Sequence, residues 1–219
     1  MISNKEIRAA ARQELSGFWT MPVLATLVFF LISSFCSVPN ILSVAFPTNP
    51  GVLVGFSSVS WVLSILVLIP LSYGFYLCFL KFLRGSKEDT VERLFDGFKT
   101  YGRALGVVIL QSIFIILWTL LLIVPGIIKA FAYSMSVYIS NDHPELSANE
   151  CIDRSIDMMK GNKWDLFKLY LSFIGWFLLC LPTFDIGFLW LTPYVNVSVS
   201  KFYEELKAQE EAEMEAMME

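Results

Sequence analysis

The sequence predicts an all-α protein: a polytopic transmembrane helical bundle of about six spans, with three cytoplasmic interfacial amphipathic helices. Three observations carry that expectation. The 219 residues are 56% hydrophobic and only 16% charged, with a mean hydropathy of +0.62, too apolar for an ordinary soluble domain. Several apolar stretches approach the length that crosses about 30 Å of hydrocarbon, where a helix satisfies its own backbone groups. Lysines and arginines gather between alternate stretches, as they do on a cytoplasmic surface.

The chain opens with "SNKE", Ser3 to Glu6, the S-x-x-[DE] pattern of a capping box, with Ile2 and Ile7 at the flanking staple positions. Ile7, Ala11, Leu15 and Phe18 then recur at helical spacing, and Gly17 is a C-cap residue type. The first span, Phe18–Ile41, runs well past a signal-peptide core and lacks a small-residue cleavage pattern, so it reads as a retained signal-anchor. Val44–Gly55 carries no lysine or arginine and reads as an outer loop; Val52–Leu83 returns. "SKED", Ser86 to Asp89, starts a second interfacial helix with Val91, Leu94, Phe95 and Phe98 on its apolar side and Gly102 at its end. Ala104–Val124 is the third span.

Pro125-Gly126 follows, and its reading fixes the topology. If the chain did not cross again there, Lys129, Arg154, Lys160, Lys163, Lys168, Lys201 and Lys207 would face outward, seven of the 16 basic residues. With a return through Ile127–Ser140 only Lys129 is displaced, so Pro125-Gly126 reads as an outer turn, proline ending the helix and glycine supplying a left-handed reversal. The returning segment is short, and a re-entrant hairpin over 127–140 is the alternative.

"SANE", Ser147 to Glu150, starts the third interfacial helix, with Leu146 and Cys151 at the staple positions, Ile152, Ile156 and Met159 on its apolar face and Gly161 behind it. Leu166–Leu181 and Ile186–Val199 complete the spans, joined by a Pro182–Gly187 turn without basic residues. One in-plane helix plus a two-span hairpin, used three times, describes a single membrane domain over 1–203. Its units are roughly 1–46, 84–143 and 144–203, with the second span at 52–83. Each in-plane helix is expected to lie apolar side down on lipid. Residues 204–219 hold seven acids and one lysine, so the tail carries −6 of a net −4 and the rest of the chain is +2. The tail reads as solvated and cytoplasmic.

No Asp or Glu falls inside a span, which argues against proton-coupled and many sodium-coupled carriers. Lys129 is the candidate headgroup contact or anchor, near enough to the outer turn for its ammonium to snorkel to the surface. Asp142, His143 and Glu145, in "NDHPEL", form a candidate cytoplasmic turn cluster, although polar residues collect in turns for backbone reasons. The polar run Thr192, Tyr194, Asn196, Ser198 and Ser200 does not follow one helix face and suits hydrogen bonding between helices better than a pore. One histidine and four scattered cysteines, Cys36, Cys78, Cys151 and Cys180, supply neither a zinc pattern nor a disulfide framework. Cys36 and Cys180 would pair only if the outer ends of their helices touched. Phosphate-binding loops are absent, and no catalytic residue, cofactor site or metal site is indicated.

"VPGIIKAFAYSM", "SANECIDRSIDMMKGNKWDLFKLYLSFIGW" and "GFLWLTPY" resemble a family of bacterial integral membrane proteins of unknown function. They are more distantly similar to the membrane domain attached to some glycerophosphodiester phosphodiesterases. The resemblance implies a multi-pass protein of the bacterial cell membrane, both termini cytoplasmic, and transfers no catalytic residue. The expected function is non-enzymatic: binding a protein partner or another copy, or organising membrane lipid, at the cytoplasmic face. A carrier or lipid-handling protein is the alternative. Nothing suggests a nucleic-acid partner.

Overall fold

The computed structural model describes residues 3–45, 50–183 and 186–218. Ile2 of the first staple, residues 46–49 of the expected outer loop and Asp185 lie outside them. The described residues are helical almost throughout. α1 (Asn4–Leu15) leads into α2 (Thr20–Ala45); α3 (Pro50–Leu63) passes through a π turn (Ser64–Leu68) into α4 (Ile69–Leu83). Two single-turn helices, α5 (Thr90–Arg93) and α6 (Asp96–Lys99), precede α7 (Tyr101–Leu121), α8 (Ile123–Tyr133) and α9 (Ser136–Asp142). α10 (Ala148–Met158), α11 (Lys163–Leu171), α12 (Ile174–Cys180) and the long α13 (Phe188–Met218) complete the chain.

Five helical runs are long and apolar enough to cross a membrane: Thr20–Pro39, Ser57–Leu83, Tyr101–Leu121, Ile123–Asp142 and Lys163–Thr183. The apolar part of α13 lies between Phe188 and Ser200 before Lys201 charges the helix. At 1.5 Å per residue that is about 20 Å, too short to join the five by itself. The expectation of about six is therefore met by five spans plus this shorter traverse. Its direction is fixed by contacts at one end of the bundle, the charged end. There Lys87 meets Glu14 at 3.0 Å, Arg84 meets Glu204 at 2.7 Å, and Arg154 meets Glu210 at 3.3 Å. Asn4 donates to the Asp165 carbonyl at 3.0 Å. The starts of α2, α7 and α11 and the ends of α4, α9 and α13's apolar part thus share one end, and the chain traverses the bundle six times.

Ile123–Asp142 runs from end to end, since Asp142 reaches Arg84 at the charged end. The re-entrant alternative is not what forms. The reversal itself is not at Pro125-Gly126 but at Leu122, whose backbone is extended at φ −159° and ψ 136°. Pro125 sits in the first turn of α8, where its missing N–H is one of the unpaired donors anyway. Gly126 has ordinary helical φ among the described glycines; it is there because a Cβ would stand 2.3 Å from the Thr119 hydroxyl. The glycine closes the two arms of the hairpin and does not turn the chain.

Capping boxes form at Ser3/Glu6 and Ser147/Glu150, both with the reciprocal bonds. The third does not. Ser86 instead closes α4: its N–H bonds the Lys81 carbonyl at 3.0 Å, and Gly85, at φ 105°, takes the left-handed position that glycine favours. α5 starts at Asp89 without a side-chain cap. Gly17 and Gly161 have positive φ as expected of helix ends, whereas Gly102 lies inside α7. Charge pattern alone could not separate a helix-starting S-x-x-D from one that follows a helix end.

The first and third amphipathic helices do not rest their apolar faces on lipid, whereas in the second stretch Leu94 is buried and Phe95 and Phe98 stay exposed. Ile7, Ala11 and Leu15 are 0% exposed, in one core with Leu71, Phe79, Val197, Phe202 and Leu206. On α10, Cys151, Ile152, Ser155 and Met158 are likewise buried. α1 and α10 are lids on the bundle. α13 passes through residue 204 without a break, and Leu206 is buried, so the expected solvated tail begins as part of the core.

α4 meets the 94–97 segment backbone to backbone. A Cβ on Gly97 would lie 1.9 Å from the Pro70 carbonyl oxygen, and one on Gly74 2.0 Å from that of Leu94. No rotamer change relieves such a clash. Gly97→Ala is expected to destabilise the detergent-solubilised protein by about 2 kcal/mol or more. Gly102→Ala, which meets nothing within 4 Å, should be neutral or stabilising by a few tenths. Thermal midpoints of the two variants, read by size exclusion after heating, check the contrast.

Candidate functional site

Breaks in two traverses come first, because they shape the cavity. Between α8 and α9 the ladder of hydrogen bonds is opened by a side chain from α10: Ser155 Oγ accepts from the Met135 N–H at 3.1 Å and donates to the Ala132 carbonyl at 2.8 Å. Inserted polar side chains are a recognised cause of helix breaks. The α11–α12 break is served by α1, whose Arg8 Nη1 donates to the Ser172 carbonyl at 3.1 Å. Each lid helix therefore supplies one side chain that satisfies backbone groups freed within the bundle.

Beside the first break lies a cavity of about 330 Å³ bounded by α4, α7, α8–α9, α11 and α13. Its polar lining is neutral: Ser72, Tyr76, Gln111, Ser112, Ser134, Tyr138, Tyr170 and Asn196, with no carboxylate, amine, guanidinium or imidazole among the described residues. Ser136 reaches the Gln111 amide oxygen at 2.8 Å and fixes that side chain. Asn196 donates to the Thr192 carbonyl of its own helix at 2.8 Å. Tyr76 and Tyr170 are 43% and 41% exposed, so the cavity opens on the side of the bundle. Tyr76 stands eight residues from Arg84, about 12 Å in from the charged end.

The polar run of α13 divides differently from the expectation of interhelical bonds. Asn196 and Ser198 bond their own helix's carbonyls. Tyr194 bonds another element, donating to the Arg8 carbonyl at 3.3 Å. Of the residues singled out in sequence, Asn196 lines the cavity; Tyr76, Gln111 and Tyr170 had no distinguishing signal.

Of the expected turn cluster, His143 and Glu145 meet and Asp142 does not join them. Asp142, its side chain 5% exposed, turns inward. It accepts a bidentate Arg84 at 2.6 and 2.7 Å, Lys207 at 3.0 Å, Tyr203 at 3.1 Å and Asn141 at 3.1 Å. His143 and Glu145 pair outside, 3.1 Å apart. The Asp142 hydrogen bonds raise the Arg84 pKa despite its partial burial, so this guanidinium stays charged at any working pH. Burial pushes the Tyr203 hydroxyl up, and the neighbouring Asp142 adds to it.

A second ion network centres on Asp96, held by Lys81 at 2.8 Å and Lys99 at 2.6 Å. Burial alone would raise its carboxyl, yet the two lysines outweigh that and hold it below the usual carboxylate range.

Lys129 sits seven residues beyond the Leu122 reversal, about 10 Å along α8, deeper than a turn at Pro125-Gly126 implied. Its ammonium rests 4.9 Å from the Trp118 ring centroid and 6.0 Å from that of Tyr133. Such cation–π contacts offset part of the cost of a half-buried charge. All four cysteines are buried and free, Cys36 and Cys180 included. Among the described residues no group of three or more His, Cys, Asp or Glu side chains could hold a metal ion.

A family model described as "Protein of unknown function (DUF975)" matches residues 1–130 and 119–210. No curated protein matches the chain. No solved structure matches it either.

Two expectations follow from the ion networks. Asp142→Asn leaves Arg84 and Lys207 facing a neutral amide; because both are about a third exposed, solvent screening reduces the loss to about 1–3 kcal/mol. Asp157→Asn, in the exposed Asp157–Lys160 pair, should cost less than about 0.5 kcal/mol. Denaturation of the two variants side by side gives the comparison. For Asp96 the sign follows from its lowered pKa: its contribution is complete above the unfolded-state value and disappears as pH falls through the lower folded value. The thermal midpoint should therefore fall below about pH 4, and Asp96→Asn should flatten that part of the profile.

Proposed function

Because the chain belongs to the family described as "Protein of unknown function (DUF975)", membership brings no activity, and we propose from the geometry a non-enzymatic, lipid-handling protein of the bacterial cell membrane. Its ligand is an uncharged, hydroxylated lipid headgroup taken from the side into the cavity between α4, α7, α8–α9, α11 and α13. The observation that carries this reading is the neutral hydrogen-bonding lining, opened at Tyr76 and Tyr170, within one leaflet of the charged end. Alcohols and amides at that depth satisfy hydroxyls that lipid tails cannot. The basic-residue distribution supports a cytoplasmic charged end with six crossings and both termini inside.

A second reading, a protein partner at the cytoplasmic face, is favoured by one observation. Met214 and Met217 are exposed on the last turns of α13, among Glu211, Glu213 and Glu215. The internal ion networks weigh against a broad charged docking face, because Asp96, Asp142 and their partners are already paired.

Vesicles containing a glycosyl-diacylglycerol provide the test, with bound lipid counted by native mass spectrometry of the extracted protein. Asn196→Leu should lower retention of that lipid about tenfold, the effect of roughly one good hydrogen bond to a buried group. Equal retention by wild type and variant, with both folded, would sink the cavity reading.

A further inference from the structure

We propose that the groove between the start of α2, α12 and α13 binds an anionic phospholipid, one acyl chain lying against Trp19, Trp176 and Trp190 and the phosphate accepting hydrogen bonds from Arg12. This site is separate from the polar cavity and does not rest on it. The groove holds about 460 Å³, within the range of roughly 300–1,000 Å³ usual for small-molecule sites. Apart from Arg12 and the Tyr194 hydroxyl its lining is apolar. From Tyr194 to Phe188 the α13 wall descends six residues, about 9 Å, with Gly187 just beyond it, so the groove is a slot along the bundle with its charge at one end. Trp176, Leu179 and Trp190 remain half exposed or more, leaving the slot open to hydrocarbon.

Charge complementarity selects the headgroup. Arg84, Arg93 and Arg154 each have a carboxylate in ion-pair distance, and Arg103, which donates to the Pro144 carbonyl instead, does not line the groove. Among the described residues neither Arg12 nor Arg8, one turn earlier on α1, has such a carboxylate. Arg12 Nη2 donates only to the neutral Tyr194 hydroxyl, at 3.3 Å, and its guanidinium stands 5.7 Å from that ring's centroid. Arg8 Nε is buried with no hydrogen-bond partner. A guanidinium presents five donors in a fork that fits phosphate oxygens, and the tryptophans are of the type that lies at the junction of headgroup and chain. A zwitterionic lipid offers the same phosphate but adds a cation beside two arginines that have no carboxylate partner among the described residues, so the net-negative lipid is preferred.

Three of the six tryptophans wall the groove, which makes the wild-type protein its own reporter. It is reconstituted in phosphatidylcholine vesicles doped with brominated-chain phosphatidylglycerol or, in parallel, brominated-chain phosphatidylcholine. The brominated phosphatidylglycerol should give additional, saturable quenching of tryptophan fluorescence. Arg12→Gln should raise the half-saturating fraction about fivefold, the effect of one basic residue on an anionic lipid, and Arg12→Lys should restore most of it. Asn196→Leu, which reports on the cavity, should leave this quenching unchanged. Equal quenching by the two lipids in the wild type, as ordinary surrounding lipid or a protein occupant would give, overturns the proposal, as does Arg12→Gln behaving like wild type.

Discussion

One buried carboxylate ties the ends of three traverses together. Asp142 finishes α9, Arg84 follows α4, and Lys207 and Tyr203 belong to α13; all three converge on its two oxygens. A lone carboxylate at this burial would be expensive, and so would Arg84 without it. Five donors on one acceptor group make the arrangement mutually dependent. Tyr203 and Lys207 hold α13 to this carboxylate on either side of Leu206, which is buried.

The same accounting of polar groups explains why the lids matter. In an apolar bundle each broken helix frees backbone groups that must find partners. Ser155 from α10 meets both sides of the α8–α9 break, and Arg8 from α1 meets the Ser172 carbonyl. The apolar faces of the lids are buried in the core, so they position these side chains as rigid elements. Cavity walls formed by Ser134 and Tyr138 depend in this way on a helix that does not line the cavity.

Backbone proximity supplies the remaining constraint. Gly74 and Gly97 let α4 and the 94–97 segment touch without side chains between them. That contact brings Asp96 within reach of Lys81. The two candidate ligand regions differ in chemistry. The cavity is lined by neutral alcohols and amides, and the groove ends at Arg12, which has no carboxylate partner among the described residues.

The sequence by itself determined the helical class, the number of traverses and the sharing of one end by both chain ends. Composition, apolar length and basic-residue placement are additive properties that survive without coordinates. It also located two of the caps, at Ser3 and Ser147, because a capping box is a local bond pattern. The tertiary structure decided what those properties cannot encode: that Ser86 ends a helix instead of starting one, that Gly126 serves a close approach to Thr119, and that Asp142 faces inward away from His143 and Glu145. It also assembled Tyr76, Gln111, Tyr170 and Asn196 around one space, although they stand on four separate helices. Periodicity tells which residues share a face of one helix, and only the packing of helices against each other brings those faces together.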